Sequence, residues 1–203
     1  MFTYAVLFVV FIVGGTVLLS WPLGRYMKWA MDPDESDAGT GSGFTRLFQL
    51  FGGSITRTSQ NWRQYLVALL IFNVLSFTVT FGILALQQYL PLNPDGKEAL
   101  EGSLIFNTAA SFTTNTNLQH YSGEASLSYL SQLGALMWQQ FVSAATGIAA
   151  LAALARGLAG RKGLGNFFVD LQRASFLVLL PVAIVVATLM VVGGMPMTFQ
   201  ARP

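Results

Sequence analysis

Four long apolar segments, separated by polar stretches, dominate the pattern along this 203-residue chain. They cover residues 2–23, 64–90, 127–158 and 171–192. A helix of about 20 apolar residues crosses roughly 30 Å of hydrocarbon, so each segment predicts one transmembrane helix. The third segment is longer than a bilayer needs and should tilt, bend or protrude. We therefore expect an all-α integral membrane protein.

The polar stretches divide the chain into five parts. We expect a first transmembrane helix at 1–24, a cytoplasmic linker at 25–63, a membrane–loop–membrane unit at 64–158, a cytoplasmic loop at 159–170, and a fourth transmembrane helix with a tail at 171–203. Pro91 should end the second helix, because proline cannot continue it. Pro181 should kink the fourth helix, because its ring removes one backbone donor and crowds the preceding turn.

Basic residues gather on one side of this predicted topology. Two groups flank the cytoplasmic parts: Arg25, Lys28, Arg46, Arg57 and Arg63, and then Arg156, Arg161, Lys162 and Arg173. Between Pro91 and Ser126 the single basic residue is Lys97, beside the acidic residues Asp95, Glu98, Glu101 and Glu124. Cytoplasmic loops of membrane proteins carry an excess of Lys and Arg. We therefore expect the N-terminus and residues 91–126 to face outside.

Composition excludes several classes of function. The net charge is only +2 and the basic residues are dispersed, so a nucleic-acid site is not indicated. The chain has no Cys and a single His, His120, which excludes Cys-based and His-rich metal sites. No acidic residue or His lies in the middle of a predicted span, so the sequence does not support an intramembrane enzyme. We assign no catalytic residue and expect no organic cofactor.

A polar run between the second and third apolar segments is the strongest functional signal. Residues 111–119 read SFTTNTNLQ, and they follow a short, weakly apolar segment at 102–111 that is compatible with a helix. This layout is typical of a re-entrant pore loop, in which backbone carbonyls replace the water shell of a cation. Polar backbone at membrane depth is tolerated only where protein buries it or where it lines an aqueous path. The pattern favours ion conduction. The alternative is a structural or assembly membrane protein in which the run is an ordered outer turn.

Further motifs follow one another in a recognisable order. They are WPLG at 21–24, WRQYL at 62–66, YLPLNP at 89–94, NTAASFTTNTNLQ at 107–119, YSGE at 121–124, LSY at 127–129 and SAATGIA at 143–149. Together they resemble the potassium-binding subunit (KdpA) family of the bacterial Kdp-type potassium-transporting ATPase. The resemblance covers nearly the whole chain and is weakest over residues 31–59.

This resemblance implies a fold of the potassium-channel and transporter superfamily. Members of the family have four membrane–pore loop–membrane units around one central filter, preceded by an extra helix. The present chain would then hold the extra helix, one complete unit and the first helix of a second unit. Because one unit cannot close a ring, we expect a fragment, a truncated product, or a chain completed by units from elsewhere.

The resemblance also implies a role and partners. The family's subunit selects and admits potassium, a separate P-type ATPase subunit hydrolyses ATP, and small accessory subunits complete the complex. The expected ligand is the transported potassium ion, and the expected surroundings are the lipid bilayer of the bacterial inner membrane, with no nucleic acid. ATP hydrolysis would belong to another subunit, since this chain shows no phosphate-binding Gly-rich loop.

The filter of the first pore loop falls on four residues by this resemblance: Thr113, Thr114, Asn115 and Thr116. Their expected role is coordination of dehydrated potassium through backbone carbonyls, with side chains that brace the loop by bonds to neighbouring backbone. The alternative for these residues is a polar extracellular turn.

Three further residues are candidates for an outer vestibule. We expect Asn117 to act as scaffold, and Gln119 either to line the vestibule or to hold the loop's shape. Glu124 and Glu101 would concentrate cations at the outer mouth of the filter. Glu98 and Asp95 would do the same, or they belong to a loop that is simply solvated.

Polar residues inside the spans have simpler interpretations. The amides of Asn73, Gln139 and Gln140 are expected to bond neighbouring helices. Asp170 and Arg173, three residues apart, are expected to form a pair on the helix surface.

Overall fold

The computed structural model describes residues 2–31, 58–161 and 163–195, and all regular structure in these ranges is helical. Most of the predicted linker, Lys162 and the tail from residue 196 lie outside the described residues. Three of the basic residues used to predict orientation are thus not described: Arg46, Arg57 and Lys162.

Six helices follow one another along the described chain. They are α1 (Phe2–Met31), α2 (Trp62–Ala85), α3 (Gly102–Thr113), α4 (Gly123–Ser126), α5 (Ser131–Leu158) and α6 (Phe167–Val192). Among the described residues, four helices are long and apolar enough to cross a membrane, namely α1, α2, α5 and α6. The prediction of an all-α membrane protein with four spans is therefore confirmed.

Two helix ends differ from the predicted ones. Helix α1 runs through Pro22 and continues to Met31, so Arg25 and Lys28 belong to its last turns and not to a linker. Proline is tolerated in membrane helices because neighbouring groups satisfy the freed carbonyl. Helix α2 ends at Ala85, and a 3₁₀ turn at Gln87–Tyr89 leads to Pro91.

The start of α2 is fixed by a capping box. The side-chain oxygen of Asn61 accepts a 3.0 Å hydrogen bond from the backbone N–H of Gln64, and the side chain of Gln64 accepts one of 3.0 Å from the N–H of Asn61. Two donors that the first turn leaves unpaired are thus satisfied reciprocally.

Wide π-helical turns interrupt both of the later spans, at Ser131–Met137 in α5 and Ala174–Leu179 in α6. The second interruption lies directly before Pro181, where the sequence predicts an irregular helix. Proline has no N–H to donate to the carbonyl four residues earlier, which is that of Leu177. The hydroxyl of Tyr26 in α1 donates to this carbonyl instead.

Helix α5 is the centre of the packing. It contacts α2, α3 and α6, and α3 also contacts α2. Three apolar clusters hold these helices together: Leu84, Ile105, Phe112, Leu127, Ala135 and Leu136; Tyr65, Ala68, Ala149, Ala153 and Phe167; and Ala30, Met31, Ala145 and Ala174. Many other apolar side chains of the spans are exposed, as expected for helices that face lipid or further helices.

A buried ion pair joins the helix ends on one side of the bundle. The guanidinium of Arg156 contacts the carboxylate of Asp170 through two bonds, of 2.6 Å and 2.9 Å. The hydroxyl of Tyr65 lies 3.0 Å from the same carboxylate, and Arg156 also donates to the carbonyls of Leu164, at 2.7 Å, and Met31. We call this side, where α1 and α5 end and α2 and α6 begin, the basic end.

This network corrects the prediction of a surface pair between Asp170 and Arg173. Asp170 is only 2% exposed, and its partner is Arg156. Arg173 donates instead to backbone carbonyls at the end of α1, at 2.5 Å to Ala30 and 3.3 Å to Trp29. A carboxylate this deeply buried needs a charged partner within the protein. Arg156 on α5 is that partner for Asp170 on α6.

The three amides within the spans behave differently from one another. Gln139 is buried and accepts a 3.3 Å bond from the hydroxyl of Thr80 on α2, as predicted. Asn73 donates to the carbonyl of Leu69 in its own helix, at 2.9 Å, and Gln140 is exposed. The prediction of bonds between helices is therefore confirmed for Gln139 alone.

Candidate functional site

The short helix α3 carries the polar run to its place in the bundle. Its 12 residues span only about 18 Å, too little to cross a bilayer. One face, with Ile105, Thr108, Ala109 and Phe112, is buried against α2 and α5. Residues 114–119 then leave the helix without forming another, so the predicted sequence of a short helix and a non-helical polar segment is present.

Ser111 closes the segment after α3 into a tight loop. Its carbonyl accepts bonds from the N–H groups of Thr116, at 2.9 Å, and Asn117, at 3.2 Å. Its hydroxyl accepts a 2.8 Å bond from the N–H of Leu118 and donates a 3.1 Å bond to the carbonyl of Leu118. Because these four bonds all involve one residue of the helix, they close the chain on itself, and we call residues 112–117 the clamped loop.

Two asparagines turn the backbone of the clamped loop. Asn115 and Asn117 have φ angles of 57° and 55°, in the left-handed region that asparagine adopts more readily than most residues. The side-chain nitrogen of Asn117 donates to the side-chain oxygen of Asn115 at 3.1 Å. The side chain of Asn117 thus bonds within the loop itself.

The threonines also bond within the loop. The hydroxyls of Thr114 and Thr116 lie 2.9 Å apart, and that of Thr114 donates to the carbonyl of Ala110 at 3.0 Å. These bonds compete with continued helix and hold the side chains against the backbone.

Several oxygens of the loop are not used in the protein's own hydrogen bonding. Within the described chain, the carbonyls of Thr113, Thr114, Thr116 and Asn117 accept no hydrogen bond. The hydroxyl of Thr113 is buried and likewise has no partner among the described residues. Thr114, Asn115 and Thr116 are exposed. A clamped backbone with free, neutral oxygens is the kind of surface that coordinates a dehydrated monovalent cation.

A contact from α5 reaches the clamped loop. The hydroxyl of Ser143 lies 3.3 Å from the side-chain oxygen of Asn115, and Ser143 is only 5% exposed. Sequence reasoning did not identify this contact, because a serine among the small residues at 143–147 is equally compatible with close packing of helices.

The residues that follow the loop are exposed or half-buried, and several bond one another. Gln119 donates to the hydroxyl of Tyr121 at 3.3 Å, and that hydroxyl also accepts a 3.2 Å bond from Thr108 of α3. Glu124 accepts a 2.7 Å bond from Ser122 and is exposed. Gln119 is therefore exposed, and its amide supports Tyr121.

The profile of one known family fits nearly all of the chain. The family described as potassium-transporting ATPase A subunit, KdpA, matches residues 9–203. The chain belongs to this family.

Curated relatives carry a consistent name. The chain is similar to proteins named potassium-transporting ATPase potassium-binding subunit from Pseudomonas syringae pv. tomato, 49% identical over 87% of this chain; Pseudomonas aeruginosa, 52% over 75%; and Mesorhizobium japonicum, 46% over 89%. These matches cover 32%, 27% and 32% of the relatives' own lengths. The chain thus spans about a third of the length of the curated relatives it matches.

A buried glutamine in this KdpA-family chain, Gln87, holds together the connection from α2 to α5 that contains the clamped loop. Sequence reasoning did not identify it. The side chain of Gln87 is fully buried. It donates to the carbonyls of Glu98, at 2.6 Å, and Ser126, at 3.1 Å. It accepts from the N–H of Ser128, at 3.3 Å, and the hydroxyl of Ser131, at 3.1 Å. All four bonds that an amide side chain can make are formed.

Proposed function

We propose that this chain carries the first unit of the potassium-selective binding and translocation subunit of an ATP-driven potassium uptake complex. The transported ion is potassium, and the partners are a catalytic P-type ATPase subunit and small accessory subunits. The relatives' shared name supports potassium as the ion and a complex as the setting. Because the chain spans about a third of their length, further units complete the filter.

The observation that carries the proposal is the clamped loop. Thr113, Thr114 and Thr116 present carbonyls without internal partners, on a backbone that Ser111 holds in place. A dehydrated cation is stabilised when such dipoles surround it at fixed positions, because no reorganisation is needed at the moment of binding. One loop supplies one side of the ring, with Asn117 and Gln119 beside it and Glu124 near the mouth.

The distribution of charge supports an orientation for this subunit. The basic end holds Arg63, Arg156 and Arg173, whereas Glu98, Glu101 and Glu124 belong to the connection at the other ends of α2 and α5. With the basic end in the cytoplasm, the N-terminus and the clamped loop face outside. Potassium would then enter the filter from the periplasmic side of a bacterial inner membrane.

Substitutions in the loop test the proposal. In a complex to which this chain supplies the first unit, Thr114→Ala, Asn115→Asp and Thr116→Ala should reduce the preference for potassium over rubidium and sodium before they abolish uptake. Asn115→Asp should have the largest effect, since it places a fixed negative charge beside the ion path. Each 1.4 kcal/mol of lost preference is about tenfold in the affinity ratio.

The measurement is ion competition for uptake or for stimulation of ATP hydrolysis. The control is Ser122→Ala, whose hydroxyl contacts Glu124 and not the clamped loop. If the three loop variants leave the ion ratios unchanged, the loop is an ordered outer turn and the chain has a structural or assembly role. A shift at Ser122→Ala as large as that at Asn115→Asp would equally contradict the filter.

A further inference from the structure

Ser143 lies outside the clamped loop and contacts the side chain of Asn115, one of the two asparagines at which the backbone of the loop turns. Ser143 lies on α5, 28 positions beyond Asn115, and its hydroxyl is 3.3 Å from the side-chain oxygen of Asn115. The other acceptor near this hydroxyl is the carbonyl of Gln140 in its own helix, at 3.5 Å. A serine hydroxyl has one proton to donate, and the shorter of the two contacts goes to the loop.

The amide of Asn115 is held from two sides. Its oxygen accepts from Ser143 and from the side-chain nitrogen of Asn117, at 3.1 Å. Asn115 itself has a φ of 57°, so its flanking peptide groups have an orientation that few residues adopt. A fixed Asn115 side chain opposes rotation of the two peptide groups beside it, which carry the carbonyls of Thr114 and Asn115.

Helix α5 is a firm support for this contact. Val142 and Ala145, on either side of Ser143, are buried, and Gln139, one turn earlier, is bonded to Thr80 of α2 at 3.3 Å. A hydroxyl on a packed helix holds a loop residue more closely than a neighbour within the loop can, because the helix does not move with the loop.

We infer that Ser143 is a positioning residue for potassium selectivity: its hydroxyl holds Asn115 so that the loop's carbonyls keep their spacing. This inference rests on the proposed filter function of the loop. Ser143 does not contact the ion. It acts through Asn115, and it couples the geometry of the filter to the central helix of the bundle.

Ser143→Ala removes the hydroxyl and keeps a good helix former, so the helix itself should be preserved. Loss of one hydrogen bond corresponds to about two- to tenfold in an equilibrium constant. We expect the potassium-over-rubidium preference of the complex to fall by that factor. The matched control is Thr146→Val, which removes a buried hydroxyl of the same helix whose one bond among the described residues is to the carbonyl of Val142, at 2.9 Å.

A double-mutant cycle tests whether Ser143 acts through Asn115. Once Asn115→Ala has removed the acceptor, adding Ser143→Ala should cause no further shift in the ion ratio. An equal shift in both backgrounds would overturn the inference, and so would an equal shift at Thr146→Val.

Failure of this inference can be distinguished from failure of the proposed function. If Asn115→Asp shifts the ion ratio and Ser143→Ala does not, the loop is the filter and Ser143 does not position it. If none of the loop variants shifts the ratio, the proposed function fails and the role of Ser143 fails with it.

Hydrogen exchange in the purified chain gives a readout that does not depend on transport. Ser143→Ala should speed amide exchange at Thr116 and Asn117, whose N–H groups close the clamped loop on Ser111, more than Thr146→Val does. Equal exchange in the two variants would overturn the positioning role.

Discussion

At the scale of single residues, bonds to a few buried side chains shape the loop and its surroundings. Ser111 takes part in four hydrogen bonds that close the clamped loop. Gln87 makes four that tie together the connection from α2 to α5. The side chain makes two of the four bonds of Ser111 and all four of Gln87, and a hydrophobic side chain could make none of these.

Gln87→Leu should loosen this connection. It leaves the N–H of Ser128 and the hydroxyl of Ser131, both buried, without this acceptor, at a cost of about 1–3 kcal/mol for each buried group left unpaired. The carbonyls of Glu98 and Ser126 lose their donor as well. Hydrogen exchange should become faster around residues 98–100 and 126–131, and the purified chain should melt at a lower temperature.

The neighbouring Gln88→Leu is the matched control for Gln87→Leu. The side-chain oxygen of Gln88 is buried without a partner among the described residues. Its removal should therefore be neutral or stabilising. Similar loss of stability in both variants would show that the network around Gln87 is not what holds the connection.

At the scale of helices, the basic end depends on one ion pair. Arg156 on α5 and Asp170 on α6 bond each other, and Arg156 also bonds the end of α1 through the carbonyl of Met31. Gly165 makes room for the guanidinium: its φ is 88°, and a Cβ there would collide with Arg156. The loop before α6 therefore needs glycine at this position.

Arg156→Met should destabilise the chain severely, by about 3–5 kcal/mol, because it leaves the buried carboxylate of Asp170 without its charged partner. Arg156→Met combined with Asp170→Leu should recover part of this loss, since no uncompensated charge is left. Thermal melting of the purified chain in detergent measures both.

A peripheral ion pair is the control for Arg156→Met. Lys97 and Asp95 lie 3.6 Å apart with partly exposed side chains, and Lys97→Gln should change stability by less than about 1 kcal/mol. If the double variant at the basic end melts no higher than Arg156→Met alone, the charge of Asp170 is not the cause of the instability.

At the scale of the whole molecule, the orientation in the membrane follows from the two ends of the bundle. Single cysteines at exposed Ala99 and exposed Ala159 report the two ends, and the chain has no native Cys. We expect an impermeant thiol reagent to label Ala99→Cys in intact cells and Ala159→Cys only after the membrane is opened. The reverse pattern would refute an outward-facing clamped loop.

The sequence also predicted the parts of the site that depend on local chemistry. The helix at Gly102–Thr113 and the polar segment after it could be inferred from length and residue type. Ser143 and Gln87 could not, because a serine in a small-residue run and a glutamine at a helix end have the same appearance whether or not a distant residue bonds them.

What the sequence by itself determined is the number of membrane spans, the short helix and the character of the polar loop, since hydrophobic length, breakers and residue type act over neighbouring positions. Only the tertiary structure decided which polar groups meet. It paired Asp170 with Arg156 and not with its neighbour Arg173, and it placed Tyr26 on the carbonyl that Pro181 leaves free. Buried polar groups must find partners, and the packing of the helices determines which partners are within reach.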